Sequence, residues 1–200
     1  MINKLAGGLM LLGLLTTAPV QAIPVVYFDF DGDSLMDNSA SFMLGDSFSV
    51  GLYASDVDSS HQGLLSWGTE IGFDSTLVSA TAYTIDSRWP LAGINNGIDN
   101  GAGSIELLSS SFVGHTGTIK LADIQFETLA IGTGALSLSE LFSGNLSFDG
   151  FAAADGYSYD AEVVFNNASI NVSAVPIPGS LILLLSGAAG LLCFRRHSGT

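Results

Sequence analysis

The sequence predicts an all-β fold, an antiparallel β-sandwich flanked by an N-terminal signal peptide and a C-terminal transmembrane helix. Three observations carry this. From Ile23 to Ala174, short alternating or apolar runs are broken by Gly, Asn, Asp and Ser about every ten residues, the spacing of a sandwich of short strands. No 11-residue stretch of that middle carries a helical stripe. The two long apolar runs lie outside it, at residues 5–15 and 180–194.

The first run, "LAGGLMLLGLL" (5–15), follows Lys4 and precedes "TTAPVQA". A basic start, a short apolar stretch, and Val20 and Ala22 at the −3 and −1 positions make a secretory signal cut after Ala22. The run is short for a bilayer, because a spanning helix needs about 20 apolar residues. An uncleaved anchor is the alternative. Residues 1–22 are therefore set apart as signal peptide and 23–174 as the folded domain.

Strands then follow in order. "VVYFDF" (25–30) is the first. In "SFSVGLYAS" (47–55), Phe48, Val50, Leu52 and Ala54 share one face, and Ser47, Ser49, Gly51 and Tyr53 the other. That period of two marks a half-buried strand. "SWGTEIGF" (66–73) sets Trp67, Thr69, Ile71 and Phe73 against Ser66, Gly68, Glu70 and Gly72. Residues 77–85, 103–112, 118–129, 134–139 and 163–172 read in the same way. Within 118–129 the phase is mixed, from Ile119 and Leu121 to Ala122, Ile124 and Phe126, which predicts a bulge or burial on both faces. "DSTLVS" (74–79) predicts a short turn of helix. "VSAVPIPG" (172–179) is held extended by its prolines.

The chain holds 19 Asp and Glu against 5 Lys and Arg. Every acid lies between Asp29 and Glu162, where only Arg88 and Lys120 oppose them. Such a domain repels nucleic acid and anionic lipid and can attract divalent cations. The single cysteine, Cys193, sits in the second apolar run, so no disulfide forms within the chain.

That second run has an ordered context. "VPIPG" precedes "SLILLLSGAAGLLCF", and Arg195 and Arg196 follow with a four-residue tail. As a helix the apolar stretch is about 22 Å long, short of a hydrocarbon core of about 30 Å. The arginines would stay cytoplasmic and place the acidic domain outside. The order, spacing and terminal position resemble the PEP-CTERM sorting signal in its VPxP form, with Ile177 where the commonest form has glutamate. The resemblance covers residues 175–200 and implies Val175, Pro176, Pro178, Arg195 and Arg196 as the sorting motif. It also implies an exosortase partner, an inner membrane crossed before processing, and a Gram-negative bacterium that makes exopolysaccharide. A plain single-span anchor is the alternative.

The middle carries a second resemblance. Gly45 and Asp46 turn into a strand, a later strand ends at Phe73 and Asp74 before Leu77 and Val78, and "GTIKLADIQFETLAIGTGALSLS" (117–139) forms a late strand pair. Over roughly residues 25–173 this is similar to cohesin domains, which implies a jelly-roll-like sandwich. The dockerin partner of true cohesins is not carried over.

Among chemistry-bearing residues, "DFDGDSLMDN" (29–38) is the most pointed stretch. Asp29, Asp31, Asp33 and Asp37 offer oxygens at the spacing a calcium loop uses. The stretch is not an EF-hand, since Ala40 stands where the twelfth-position Glu belongs. The competing reading is an exposed turn with solvated acids. Trp67 belongs to an alternating strand and reads as core, whereas Trp89, between Arg88 and Pro90, reads as a surface residue able to contact a sugar or other ligand. His61 and His115 read as solvated loop residues. No G-x-S-x-G, H-E-x-x-H or P-loop pattern is present. The function expected is a non-enzymatic secreted protein of the surface or exopolysaccharide matrix, binding polysaccharide or a surface protein. The alternative is a permanently anchored, calcium-dependent binding module for protein or carbohydrate.

Overall fold

Alternation along the chain closes into two stacked sheets. The computed structural model describes residues 22–93, 97–141, 150–160, 162–176, 179–180, 183–184 and 186. In chain order the strands are β1 (Val25–Asp29), β2 (Ser39–Met43), β3 (Ser47–Val57), β4 (Leu64–Phe73), β5 (Val78–Ile85), β6 (Leu91–Ala92) and β7 (Gly97–Asp99). They continue with β8 (Ser104–His115), β9 (Gly117–Thr128), β10 (Gly132–Glu140), β11 (Ala152–Ala153), β12 (Val164–Phe165) and β13 (Ala168–Ser173). One sheet has the order β12-β1-β3-β9-β5. The other runs β2-β13-β10-β4-β8-β6, with β11 added on β4 and β7 on β8.

The inward faces are the apolar ones. Val50, Leu52 and Ala54 of β3 and Ile124 and Phe126 of β9 meet Trp67, Ile71 and Phe73 of β4, Ile105 and Leu107 of β8, and Leu136 and Leu138 of β10. Burying a side chain of this size contributes about 1.5–3 kcal/mol. The mixed phase of β9 resolves as a bulge. Between Leu52 and Tyr53 of β3 the partner steps from Ala122 to Lys120. Leu121 and Ala122 are then both fully buried, although they are adjacent in sequence.

One expectation needs correction. The sandwich is not wholly antiparallel: β1–β12 and β2–β13 are parallel pairs. The cause lies in 163–172, predicted as one strand. It breaks at Asn166 and Asn167, where Asn166 N–H donates to the Val26 carbonyl and Asn167 Oδ1 accepts from Leu138 N–H. The chain thereby changes sheets, β12 joining one and β13 the other. Residues 74–77 make a single helix-like turn, in which the Leu77 and Val78 N–H groups both donate to the Asp74 carbonyl, before β5 starts at Val78.

The sandwich has two distinct ends. At the entry end, Ala22 N–H donates to Asp58 Oδ2 at 3.3 Å. The 58–63 and 154–160 loops and the β8–β9 turn lie there. At the exit end, β13 finishes at Ser173 beside the 44–46, 74–77 and 129–131 turns. Residues 1–21, Pro178, Arg195 and Arg196 lie outside the described residues. Among the described residues, no helix is long and apolar enough to cross a membrane.

Candidate functional site

The acidic stretch folds into a loop over the outer face of the five-stranded sheet. Asp29 ends β1 and is only 2% exposed. Its Oδ1 accepts from the N–H groups of Asp31 (3.2 Å) and Gly32 (2.7 Å), and its Oδ2 from Ser34 N–H (2.9 Å). Asp37 Oδ2 accepts from Phe30 N–H at 2.8 Å. These backbone donors are why a carboxylate tolerates burial here. Asp29, Asp31 and Asp37 bring carboxylate oxygens within 4.8 Å of one another. Asp33 stands apart from that trio and caps Leu35 N–H at 2.8 Å. The hydrogen bond from Asp33 N–H pulls the Asp31 carboxyl down. Desolvation and the charges of Asp33, Asp37 and Asp29 outweigh it, so Asp31 sits above its ordinary value. A cation would relieve that repulsion.

Beside the loop lies a shallow hollow of about 200 Å³ bounded by Asp29, Asp31, Ser49, Gly51, Lys120 and Asp123. Gly51 is required there, because the Tyr53 ring lies where its Cβ would be. Tyr53 stacks on Tyr27 with ring centres 5.9 Å apart. Tyr27 Oη in turn donates to the Ser34 carbonyl at 2.7 Å, which pins the acidic loop to the sheet. Lys120 pairs with Asp123 at 2.6 Å and lies 5.7 Å from the Tyr53 ring centre.

Trp89 is not where a surface ligand would find it. The residue is 3% exposed. Its Nε1–H donates to the Lys120 carbonyl at 2.9 Å, and it packs edge-on to Trp67 and His115. The loop that carries it folds back over the sandwich because Asp86 N–H donates to the Leu121 carbonyl and Trp89 N–H to the Asp86 carbonyl. No ring face is left for a sugar. Trp67 is core, as its alternation predicts.

Sequence reasoning missed the cluster at the entry end. The His61 ring stacks on Tyr157, ring centres 3.9 Å apart, and its Nδ1 lies 2.9 Å from Asp155 Oδ2. Tyr157 Oη donates to Glu162 Oε1 at 2.8 Å. Tyr159 lies beneath with its hydroxyl sealed from solvent and without a hydrogen-bond partner among the described residues. Burial, then the charges of Asp58 and Asp155, push that phenol up to about 12. The residues come from loops some 94 positions apart, so no local spacing announces them.

A second unforeseen feature is the pairing of Glu140 with Asp160. Gly150 lies against both carboxylates, and its φ of +71° favours glycine. Burial, then the hydrogen bond and charge of Asp160, raise Glu140 to about 8. Protonated, Glu140 bonds to Asp160. Ionised, it keeps the Phe151 N–H as a donor, which lowers the value less than burial and Asp160 raise it, while its buried Oε1 has no partner among the described residues.

Across β2, β13, β10 and β4 the outer face of the eight-stranded sheet carries mostly small polar side chains. Along β10 it presents Thr133, Ala135, Ser137 and Ser139. The rungs cross to Asn171 and Ser169 of β13, to Ser41 and Ser39 of β2, and to Gly72 and Glu70 of β4.

No family model matches the chain, and no curated protein does. Solved structures do. A type I cohesin of Pseudobacteroides cellulosolvens ScaB superposes with a TM-score of 0.56 at 16% identity, covering 78% of this chain and 96% of that one. A Clostridium thermocellum OlpC cohesin, solved with a dockerin, gives 0.56 at 12% identity over 77% and 96%. A non-cellulosomal cohesin of the archaeon Archaeoglobus fulgidus gives 0.53 at 13% identity over 76% and 91%. At these identities the likeness is one of fold: the domain is a cohesin-like β-sandwich.

Proposed function

We propose that the chain is an exported, non-enzymatic surface protein whose sandwich binds a protein partner and whose C-terminal segment is read by an exosortase. The observation that carries the binding half is the fold shared with cohesins, several of them solved with a bound dockerin. The small-residue face of β2, β13, β10 and β4 supports it. Short serine and threonine side chains lose little rotamer freedom on contact, so a broad surface is covered at low ordering cost. A photo-crosslinking residue at Ser137 should yield a discrete protein adduct in the native host, and the same residue at Ser49 on the opposite sheet should not. Equal labelling from both positions would sink the assignment of that face.

The sorting half rests on Val175, Pro176 and Pro178, the apolar run and the two arginines. Intact mass of the mature protein from its own host tests it. A species running from Ile23 to within Val175–Pro178, outside the inner membrane, supports processing and a matrix or adhesive role. A membrane-held species retaining Arg195 and Arg196 removes it.

A second reading has its own observation, the trio of Asp29, Asp31 and Asp37. A hard cation takes 6–8 oxygens, and the trio offers three of them, one from each carboxylate. Calcium would order the loop over the hollow, where Ser49, Lys120 and Asp123 could bond a sugar or a peptide. Calcium should raise the melting temperature of the wild type and leave Asp31→Ala/Asp37→Ala unchanged. The absence of a shift in the wild type removes this reading.

A further inference from the structure

We infer that the exit end of the sandwich rests on a zwitterionic lipid surface while the C-terminal segment is in the membrane. The inference rests on reading residues 175–196 as membrane-directed, and adds to it a docking surface on the folded domain.

Large apolar side chains gather at this end without cover. Met43 ends β2 and Leu44 opens the β2–β3 turn, Leu129 and Ile131 lie in the β9–β10 turn, and Val175 just beyond β13; all five are exposed, Ile131 by 60%. Register brings them together. Ser173 pairs with Met43, and Leu44 N–H donates to the Ser173 carbonyl. Gly132, next to Ile131, pairs with Val172. Thr128 N–H donates to the Asp46 carbonyl and its hydroxyl to that of Met43. The patch therefore flanks on two sides the point where the chain leaves the sandwich.

Where the chain goes identifies the occupant. From Ser173 only six residues precede Ser180, where the apolar run begins. Fully extended they reach about 20 Å, so a tail held in a bilayer keeps this end against the headgroups. Leu183 and Leu184, early in that run, are exposed as well. Patches of this kind mark interaction surfaces.

The charge at this end selects the lipid. Asp46 turns its carboxylate onto Met43 N–H, Asp74 onto Thr76, and Asp99 onto Gly101 and Ala102. No lysine or arginine lies in these turns. The acids repel anionic headgroups, whereas zwitterionic ones accept the apolar side chains at no such cost. Another apolar patch, Leu91, Phe112 and Val113, is more exposed at Phe112 (75%) but lies toward the opposite end. It is the natural control.

The test uses the full chain with Cys193→Ser, carrying a single environment-sensitive fluorophore at Ile131→Cys, Ser59→Cys or Phe112→Cys, in phosphatidylcholine vesicles. Flotation reports whether the tail holds the protein, and iodide reports which end is shielded. In floated protein, the label at 131 should be quenched at least about threefold less than that at 59, as expected for a side chain at the headgroup boundary. Added anionic lipid should narrow the difference. Equal quenching at 131 and 59, or protection at 112 instead, in protein that floats, overturns the docking surface and spares the tail. Protein that fails to float overturns the membrane reading and the docking with it.

Discussion

The two ends of the sandwich are made of the same material, short loops between strands, yet they use it in opposite ways. The entry end buries large aromatic residues: Trp89 packs on Trp67 and His115, and Tyr159 lies under a polar lid in which His61 stacks on Tyr157 and pairs with Asp155. The exit end leaves Leu129 and Ile131 in solvent and turns its acids back onto their own backbone. Loop order here comes from two sources: side chains packed across loops at one end, and hydrogen bonds within and between the turns at the other. Substitutions at the entry end should therefore affect stability, and those at the exit end should affect attachment.

The largest effect should come from Trp89→Ala. It empties a buried site and releases the bond to the Lys120 carbonyl, so denaturant titration should show a loss of about 3–5 kcal/mol. A loss below about 1 kcal/mol is the outcome for an exposed side chain and would erase the contrast between the ends. Asp29→Ala comes next. It strips three backbone donors of their acceptor, and the same titration should show about 2 kcal/mol.

Stability should also fall as the pH rises from about 5 to about 9. Glu140 is raised from 4.5 to about 8 in the folded chain. Its contribution is complete below 4.5 and is lost as the pH passes through about 8. Glu140→Gln, which cannot ionise, should flatten the melting curve over that range; an unchanged slope would mean that the Asp160 pair does not control it. The smallest effects sharpen the comparison directly. His61→Ala should cost about 1 kcal/mol, mostly the lost ring stack, while Ile131→Ser should stay within about 0.5 kcal/mol and change only membrane shielding.

The sheet scaffold was legible because β3, β4, β8 and β10 alternate with period two, and a slip of one residue would turn Trp67 and Ile71 outward. Asp29, Asp31 and Asp37 were legible for a similar reason: neighbours in sequence, they meet in one loop. The rest depends on long-range contacts. Strand β2 is five residues of which only Phe42 and Met43 are large and apolar; its place is set by pairing with β13, more than a hundred positions later. Trp89 gave the wrong sign because a tryptophan between Arg88 and Pro90 looks exposed until the Lys120 carbonyl and the Trp67 ring are brought to it. The Glu140–Asp160 pair was hidden in the same way, since nothing in either local sequence marks one carboxyl as the neighbour of the other.

The change of sheets at Asn166 and Asn167 has a mechanical consequence. The strand it releases, β13, runs to the exit end with five residue pairs to β2 on one side and five to β10 on the other, while the chain enters at the opposite end. Tension drawn through the tail therefore acts along β13, across both ladders at once. Rungs loaded in this way give way together rather than one by one from a free end. A domain tethered at its tail and pulled from the far side would resist as a shear joint, and the two asparagines are the hinge that aligns that joint with the load.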